Sequence, residues 1–261
     1  MILCIDVGNT NIKYAVFEGN TLKGSFRVSS RHTRTADEYG ATLLNLLSSR
    51  EIKNTDIEGI IMSSVIPSLN YTIIHMCEYF FNITPMVVGA GIKTGLNVKT
   101  DNPKEVGADI IANCVGAYTK YGNGKPMIVI DFGTATTFDV VTANGELIGV
   151  VIAPGMKSSL EGLVSNTAQL PMIELSAPQS VIPKNTKTAM QAGIIFGFAG
   201  LVENIVKKIK KELNVSEISV TATGGMGEVI AKEVSCITRI DRMLTLEGLK
   251  ALYELNVVKN K

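Results

Sequence analysis

Apolar residues along this chain follow two rhythms, and the alternation between them predicts the elements. The chain opens on a short apolar run, Met1 to Ile5, followed by a turn, a second apolar strand, another turn and a third strand. A polar loop, Arg31 to Asp37, separates these strands from a segment with helical spacing. There Tyr39, Leu43, Leu44, Leu46 and Leu47 predict a helix over Glu38–Ser49. Gly59–Ser63 reads as a short strand, running into Ser64-Val-Ile-Pro67. Tyr71–Phe80 reads as a helix and Pro85–Gly89 as a strand. Glu105–Tyr118 is helical and is opened by Asn102-Pro103, where the fixed φ of proline suits a helix start. A second run of three strands spans Met127–Val151, with a turn at Gly155 and a helix signal to Leu163. Ala168–Pro183 holds three prolines and little periodicity, and reads as a loop or flap. Thr188–Leu213 is a long helix, small and apolar at first, with Lys207, Lys208, Lys210 and Lys211 near its end. Ser219–Thr223 reads as a strand that leads into Gly224-Gly225.

The two three-strand runs are copies of one another. At the offset that carries Asp6 onto Asp131, Ile5, Gly8, Val16, Leu22 and Gly24 meet Ile130, Gly133, Val141, Leu147 and Gly149. A single long-period repeat predicts two like domains, because a solenoid needs several short units. Strands followed by helices in this order match an α/β fold of two ribonuclease-H-like domains, each a mixed five-stranded sheet with helices. With no flexible linker in sight, the boundary is expected near residue 115. That gives domains 1–115 and 116–261, joined by the helix itself.

Composition narrows the function. Basic and acidic residues number 25 and 24, so no positive field marks a nucleic-acid binder, and Trp is absent. The four cysteines, Cys4, Cys77, Cys114 and Cys236, have no metal-ligand spacing, and the histidines number only two. Cys4 and Cys114 lie in apolar runs and read as buried free thiols. No basic leader precedes the first strand, and the weakly polar stretch Ala192–Val202 is about half a membrane span. A cytoplasmic protein with no membrane and no nucleic-acid partner is expected.

The chemistry concentrates in three turns. Asp6-Val-Gly-Asn-Thr-Asn11 follows a buried strand. Its carboxylate can hold a hydrated Mg²⁺, Gly8 admits a phosphate, and Asn9, Thr10 and Asn11 add donors. Lys13 can reach a β- or γ-phosphate. Alone, this turn reads better as an ordinary hairpin turn; its second copy, Asp131-Phe-Gly-Thr-Ala-Thr-Thr137, favours phosphate binding. Thr223-Gly224-Gly225-Met-Gly227 offers bare backbone to a ring or a phosphate. The order phosphate, phosphate, adenosine resembles that of the superfamily of actin, Hsp70-type chaperones and sugar kinases. Asp109 reads either as a general base or as a solvated helix-end carboxylate.

A narrower resemblance rests on five strings. They are Asn102-Pro-Lys-Glu-Val-Gly-Ala-Asp109, Asp131-Phe-Gly-Thr-Ala-Thr-Thr-Phe-Asp139, Ala153-Pro-Gly-Met156, Thr167-Ala-Gln-Leu-Pro171 and Asn185-Thr-Lys-Thr-Ala-Met-Gln-Ala-Gly193. Together they resemble type III pantothenate kinase over almost the whole chain. The resemblance implies ATP-dependent phosphorylation of pantothenate to 4′-phosphopantothenate, the first step of coenzyme A biosynthesis. It implies that Asp6 to Lys13 bind the phosphates of ATP and Mg²⁺, and that Thr134 is a further ATP contact. Asp109 becomes the general base and Asp131 the ligand of a monovalent cation, K⁺ or NH₄⁺. Gly107, Ala108, Asp109, Ile110 and Thr186 become pantothenate contacts. It further implies a homodimer with the active site at the interface and Thr186 arriving from the partner. Two positions depart from the family's pattern: Ile110 stands where Arg is usual, and Thr100 where Tyr is usual. Arg suits a carboxylate such as that of pantothenate, so Lys99, Lys104 or a partner cation would have to replace it. A same-fold kinase for a related small alcohol, or an ATP-binding regulatory protein, are the competing readings.

Overall fold

The computed structural model describes residues 1–257. Its strands are β1 (Ile2–Val7), β2 (Asn11–Glu18), β3 (Thr21–Ser29), β4 (Gly59–Ser64), β5 (Met86–Val87), β6 (Asn97–Val98), β7 (Met127–Phe132), β8 (Ala135–Val141), β9 (Glu146–Pro154), β10 (Ser219–Gly224) and β11 (Arg239–Ile240). Its helices are α1 (Ala36–Ser48), α2 (Pro67–Phe81), α3 (Ala108–Tyr121), α4 (Met156–Ser165), α5 (Thr186–Glu212), α6 (Gly227–Ala231) and α7 (Leu244–Val257). The chain divides into two compact units, Met1–Lys120 with the segment from Met243 onward, and Tyr121–Arg242.

In the first unit the sheet order is β3-β2-β1-β4-β5. β1 is antiparallel to β2 and parallel to β4. As the central strand it is covered on both faces, and Leu3, Cys4, Ile5 and Val7 are fully buried. α1 and α2 seal one face through Leu43, Leu47, Leu69 and Ile73. Thr35 and Glu38 cap α1 reciprocally, and Pro67 opens α2 at a position whose N–H would be unpaired anyway.

Helix α7 is absent from the sequence reading, as are the two-residue strands β6 and β11. The helix belongs to the first unit, so a domain of residues 116–261 is not what forms. Its backbone meets that of α3 where both are glycine: a Cβ on Gly248 would lie 1.9 Å from the Ala112 carbonyl oxygen, and one on Gly116 would lie 2.6 Å from that of Leu244. Thr245 donates to Asn113 Oδ1 at 2.7 Å beside this crossing. Burial on α3 and β1 outweighs position in the chain. The first unit correspondingly ends at Lys120 rather than near residue 115.

In the second unit the strands belonging to it run β11-β10-β7-β8-β9, mirroring the first. β7 is antiparallel to β8 and parallel to β10. Its core joins Ile128, Ile130 and Phe138 to the inner face of α5 at Ile195, Phe198 and Val202. α5 is therefore an intrachain packing helix on one side. Along its other side Gly193, Gly197 and Gly200 are exposed, and a Cβ on any of them would meet nothing within 4 Å. The whole helix of 27 residues is, by length and composition alone, apolar enough to cross a membrane, which the shorter Ala192–Val202 stretch does not reveal.

The repeat is real but not gapless. Asp6 stands opposite Lys13, and Asp131 stands opposite Thr137. Gly8 N–H bonds back to the Asn11 carbonyl, whereas Gly133 N–H bonds to that of Ala135, so the second turn is one residue shorter. The following hairpin makes up the difference at a bulge in each copy: Val16 pairs with Gly24, and Val140 with Gly149. Val16 thus corresponds to Val140, not to Val141 as the constant offset has it.

Candidate active site

Three side chains form a row across the first sheet. Lys13 Nζ lies 3.0 Å from Asp6 Oδ2, and Ser63 Oγ donates to Asp6 Oδ1 at 2.9 Å. Asp6 is 4% exposed and Ser63 fully buried. A carboxylate at that depth requires such partners. Both its oxygens are thereby engaged by the chain, and among the described residues no three His, Cys, Asp or Glu gather as a metal cage. This donor set does not suit a metal enclosed by protein. It does fit a largely hydrated Mg²⁺, which a lone carboxylate would hold through water.

The turn beyond Asp6 is clamped from a third strand. Ser30 Oγ donates to the Gly8 carbonyl, and Ser30 N–H to that of Thr10 at 3.0 Å. Asn9 and Thr10 at the tip are exposed, while Gly8 and Asn11 are half-buried. Asp109 sits in the first turn of α3, where the helix dipole favours a carboxylate. Its Oδ1 accepts from Ile110 N–H at 2.9 Å. A Cβ on Gly107 would lie 2.5 Å from that oxygen, so the bare glycine makes room for the carboxylate. Ala108 opens the helix and is half-buried, Ile110 is buried, and Lys99 and Lys104 are exposed on the preceding segment.

In the second unit, Asp131, Gly133, Thr134 and Gly224 come together. Gly224 has φ +88°, and a Cβ there would lie 2.5 Å from Asp131 Oδ1 and 2.6 Å from the Phe132 carbonyl oxygen. Only glycine leaves these two oxygens facing bare backbone. They are hard donors of the kind that a monovalent cation takes, so the residues fit such an ion. Next to it, Gly225 has nothing within 4 Å of a Cβ and is open to a flat ring. The carbonyl of Thr134 accepts from Gly155 N–H at 3.1 Å and from Ser158 Oγ at 2.8 Å. Thr186 is the first residue of α5, whose N-cap Asn185 accepts from Thr188 N–H at 3.0 Å. Thr186 lines an apolar groove of about 940 Å³, with Leu163, Leu170, Ala189, Gly193 and Leu201.

The match to the family model of type III pantothenate kinase spans residues 2–208. The chain belongs to the type III pantothenate kinase family. Its activity is the ATP-dependent phosphorylation of pantothenate in coenzyme A biosynthesis, which requires ATP and a divalent metal. Among solved structures it is similar to a protein described as a Baf family transcriptional activator from Campylobacter jejuni. That match has 20% identity, a TM-score of 0.61, and 97% of this chain and 98% of the other covered. It is also similar to one described as a 2-dehydro-3-deoxygalactonokinase from Sinorhizobium meliloti, at 12% identity and a TM-score of 0.63, with 100% and 98% covered. These two likenesses establish the fold.

Sequence reading missed Ser30, Ser63, Gly155 and Ser158. Three are serines, among the least informative letters in a sequence, and each acts through a strand pairing or turn contact that no local pattern reveals. Gly155 appeared only as a helix-start turn. Its second task is closeness: a Cβ would lie 2.3 Å from the Thr134 carbonyl oxygen.

Proposed function

We propose that this pantothenate kinase divides its catalytic labour between the two Asp-x-Gly turns and Asp109, and works as a homodimer. The observation that carries the reading is the pair of turns on equivalent central strands, the second backed by Gly224-Gly225. The first turn, with Gly8, Asn9, Thr10 and Asn11, cradles ATP phosphates through its N–H groups, and Lys13 offsets their charge. Asp6 would hold Mg²⁺ through water, and the ion would supply charge neutralisation at the phosphate oxygens. On the second unit, Thr134 and Gly224-Gly225 are the proposed nucleotide contacts, and Asp131 would hold K⁺ or NH₄⁺. Asp109 accepts the proton of the primary hydroxyl as that oxygen bonds to the γ-phosphorus and the bond to ADP breaks. Gly107, Ala108 and Ile110 form the acceptor's floor. Lys99, Lys104 or a partner's cation grips its carboxylate, since buried Ile110 has no charge to offer.

The exposed glycine side of α5 and the apolar groove beside Thr186 support the dimer, because small residues allow a second helix to approach closely. Val181 and Ile182, both exposed on the adjoining flap, add apolar surface for the same partner. With this face covered by a second copy, we infer a cytoplasmic enzyme bound to neither membrane nor nucleic acid. Ile110 also favours a second reading, a kinase for a related small alcohol, which a panel of alcohol acceptors with ADP detection separates.

Asp109→Asn is expected to lower kcat by about 10²–10⁴ while ATP still binds. Mixing this variant with Thr186→Ala tests the dimer. If Thr186 acts in trans, each heterodimer carries one site with both lesions and one intact site, so mixing restores activity towards half that of wild type. No gain after confirmed subunit exchange would mean self-contained sites.

A further inference from the structure

We propose that Ser63 is a positioning residue for phosphoryl transfer, holding the Asp6 carboxylate in the orientation that serves Lys13 and the metal-bound nucleotide. The proposal rests on the reading of Asp6 as the residue that serves Mg²⁺–ATP. Ser63 lies at the register position of Asp6 on the parallel strand β4, and it is fully buried. Its hydroxyl spends its proton on Asp6 Oδ1 at 2.9 Å, rather than on a nearby backbone carbonyl as Ser49 and Ser64 do. The torsion that turns a carboxylate about its own axis is soft and roughly two-fold. Lys13 ends a long flexible chain and cannot fix that torsion; a hydroxyl on the adjacent strand can. The end of β4 is itself firm. Val65 N–H bonds to the Val7 carbonyl at 3.1 Å, and Ser64 Oγ accepts from Ile66 N–H at 3.1 Å just before α2 begins.

The second unit supplies an independent observation. The corresponding register position opposite Asp131, on the parallel strand β10, is Thr223, again a β-hydroxyl residue and only 2% exposed. The antiparallel partner changes between the units from Lys13 to Thr137, whereas the parallel partner remains a buried hydroxyl. A residue that merely filled space beside the aspartate could as well be alanine.

The test is calorimetric titration of Mg²⁺–ATP onto acceptor-free protein, alongside the Mg²⁺ dependence of turnover. Ser63→Ala should weaken nucleotide binding and raise the half-saturating Mg²⁺ by about tenfold each, the effect of losing one hydrogen bond to a charged group. The KM for pantothenate should stay within about twofold, and Ser63→Thr should recover most of the loss. Should Ser63→Ala fail to fold by thermal melt, Ser63→Cys keeps the shape with a weaker donor and should show the same shifts in smaller degree. Unchanged nucleotide binding and Mg²⁺ dependence in a folded Ser63 variant would overturn the proposal. So would equal losses for nucleotide and acceptor, which mark a merely structural role. Asp6→Asn separates the two levels: if it too leaves Mg²⁺–ATP binding unchanged, the reading of Asp6 has failed. If it weakens binding while the Ser63 variants do not, only the positioning role has failed.

Discussion

The turn after β1 and the turn after β7 occupy the same place in like sheets, yet the aspartates that precede them stand opposite different partners. Asp6 pairs with Lys13 and meets its ammonium, whereas Asp131 pairs in register with Thr137. One residue of turn length makes the difference, because shortening the second turn brings Thr137 instead of Phe138 opposite the carboxylate. Thr137 in turn donates to buried Asp139 at 3.4 Å. The first turn thus carries a built-in cation beside its carboxylate, suited to meeting a polyanion. The second presents a carboxylate and a carbonyl oxygen beside Gly224, the pair proposed above to hold a monovalent cation.

Exchanging the two partners should break this contrast most strongly. Lys13→Met is expected to lower kcat/KM for ATP by about 10–10²-fold, the range for losing a charge-assisted contact. Thr137→Lys should supply Asp131 with its own ammonium, so that K⁺ and Na⁺ support equal rates. A Lys13→Met enzyme of wild-type efficiency, or a Thr137→Lys enzyme that still prefers K⁺, would separate turn chemistry from the facing residue.

The clamps of the two turns differ as well, and the expected effect is smaller. A Cβ on Gly155 would lie 2.3 Å and 2.5 Å from the carbonyl oxygens of Thr134 and Gly133, where the backbone itself must give way. On Gly8 the tightest approach is 3.1 Å, to the Asn11 carbonyl oxygen. Gly155→Ala should cost about 3 kcal/mol, and Gly8→Ala about 1 kcal/mol or less. Thermal melts should therefore fall by roughly 6–12 °C for the first and by no more than about 4 °C for the second. Equal shifts would mean that the second turn is not held from α4.

Much of this contrast was legible in the chain. Both Asp-x-Gly turns and the glycine pair at 224 and 225 come directly from local letters, because turn chemistry and hydrophobic period are local properties. Register is not. A constant offset pairs Lys13 with Phe138, and only strand pairing reveals the compensating gap that makes Thr137 the facing residue. α7 escaped for a similar reason. Its return to the first unit depends on two glycines far apart in sequence, Gly116 and Gly248, meeting at one crossing. The helix over α3 was expected to begin at Glu105. Instead a short 3-10 turn, Pro103–Glu105, precedes Ala108, which leaves Asp109 in the first turn, where its carboxylate reaches the N-terminal N–H of Ile110.

The division of labour between the two aspartates is tested most directly by one two-way titration. ADP release with pantothenate is measured against Mg²⁺, and against K⁺ versus Na⁺ at fixed ionic strength, in wild type, Asp6→Asn and Asp131→Asn. Asp6→Asn should raise the Mg²⁺ requirement, with partial rescue by excess metal, while K⁺ remains better than Na⁺. Asp131→Asn should abolish the preference for K⁺ and leave the Mg²⁺ requirement where it was. If both variants shift both dependences alike, or if wild type runs equally well in Na⁺, the two turns do not hold separate charges and the account is contradicted.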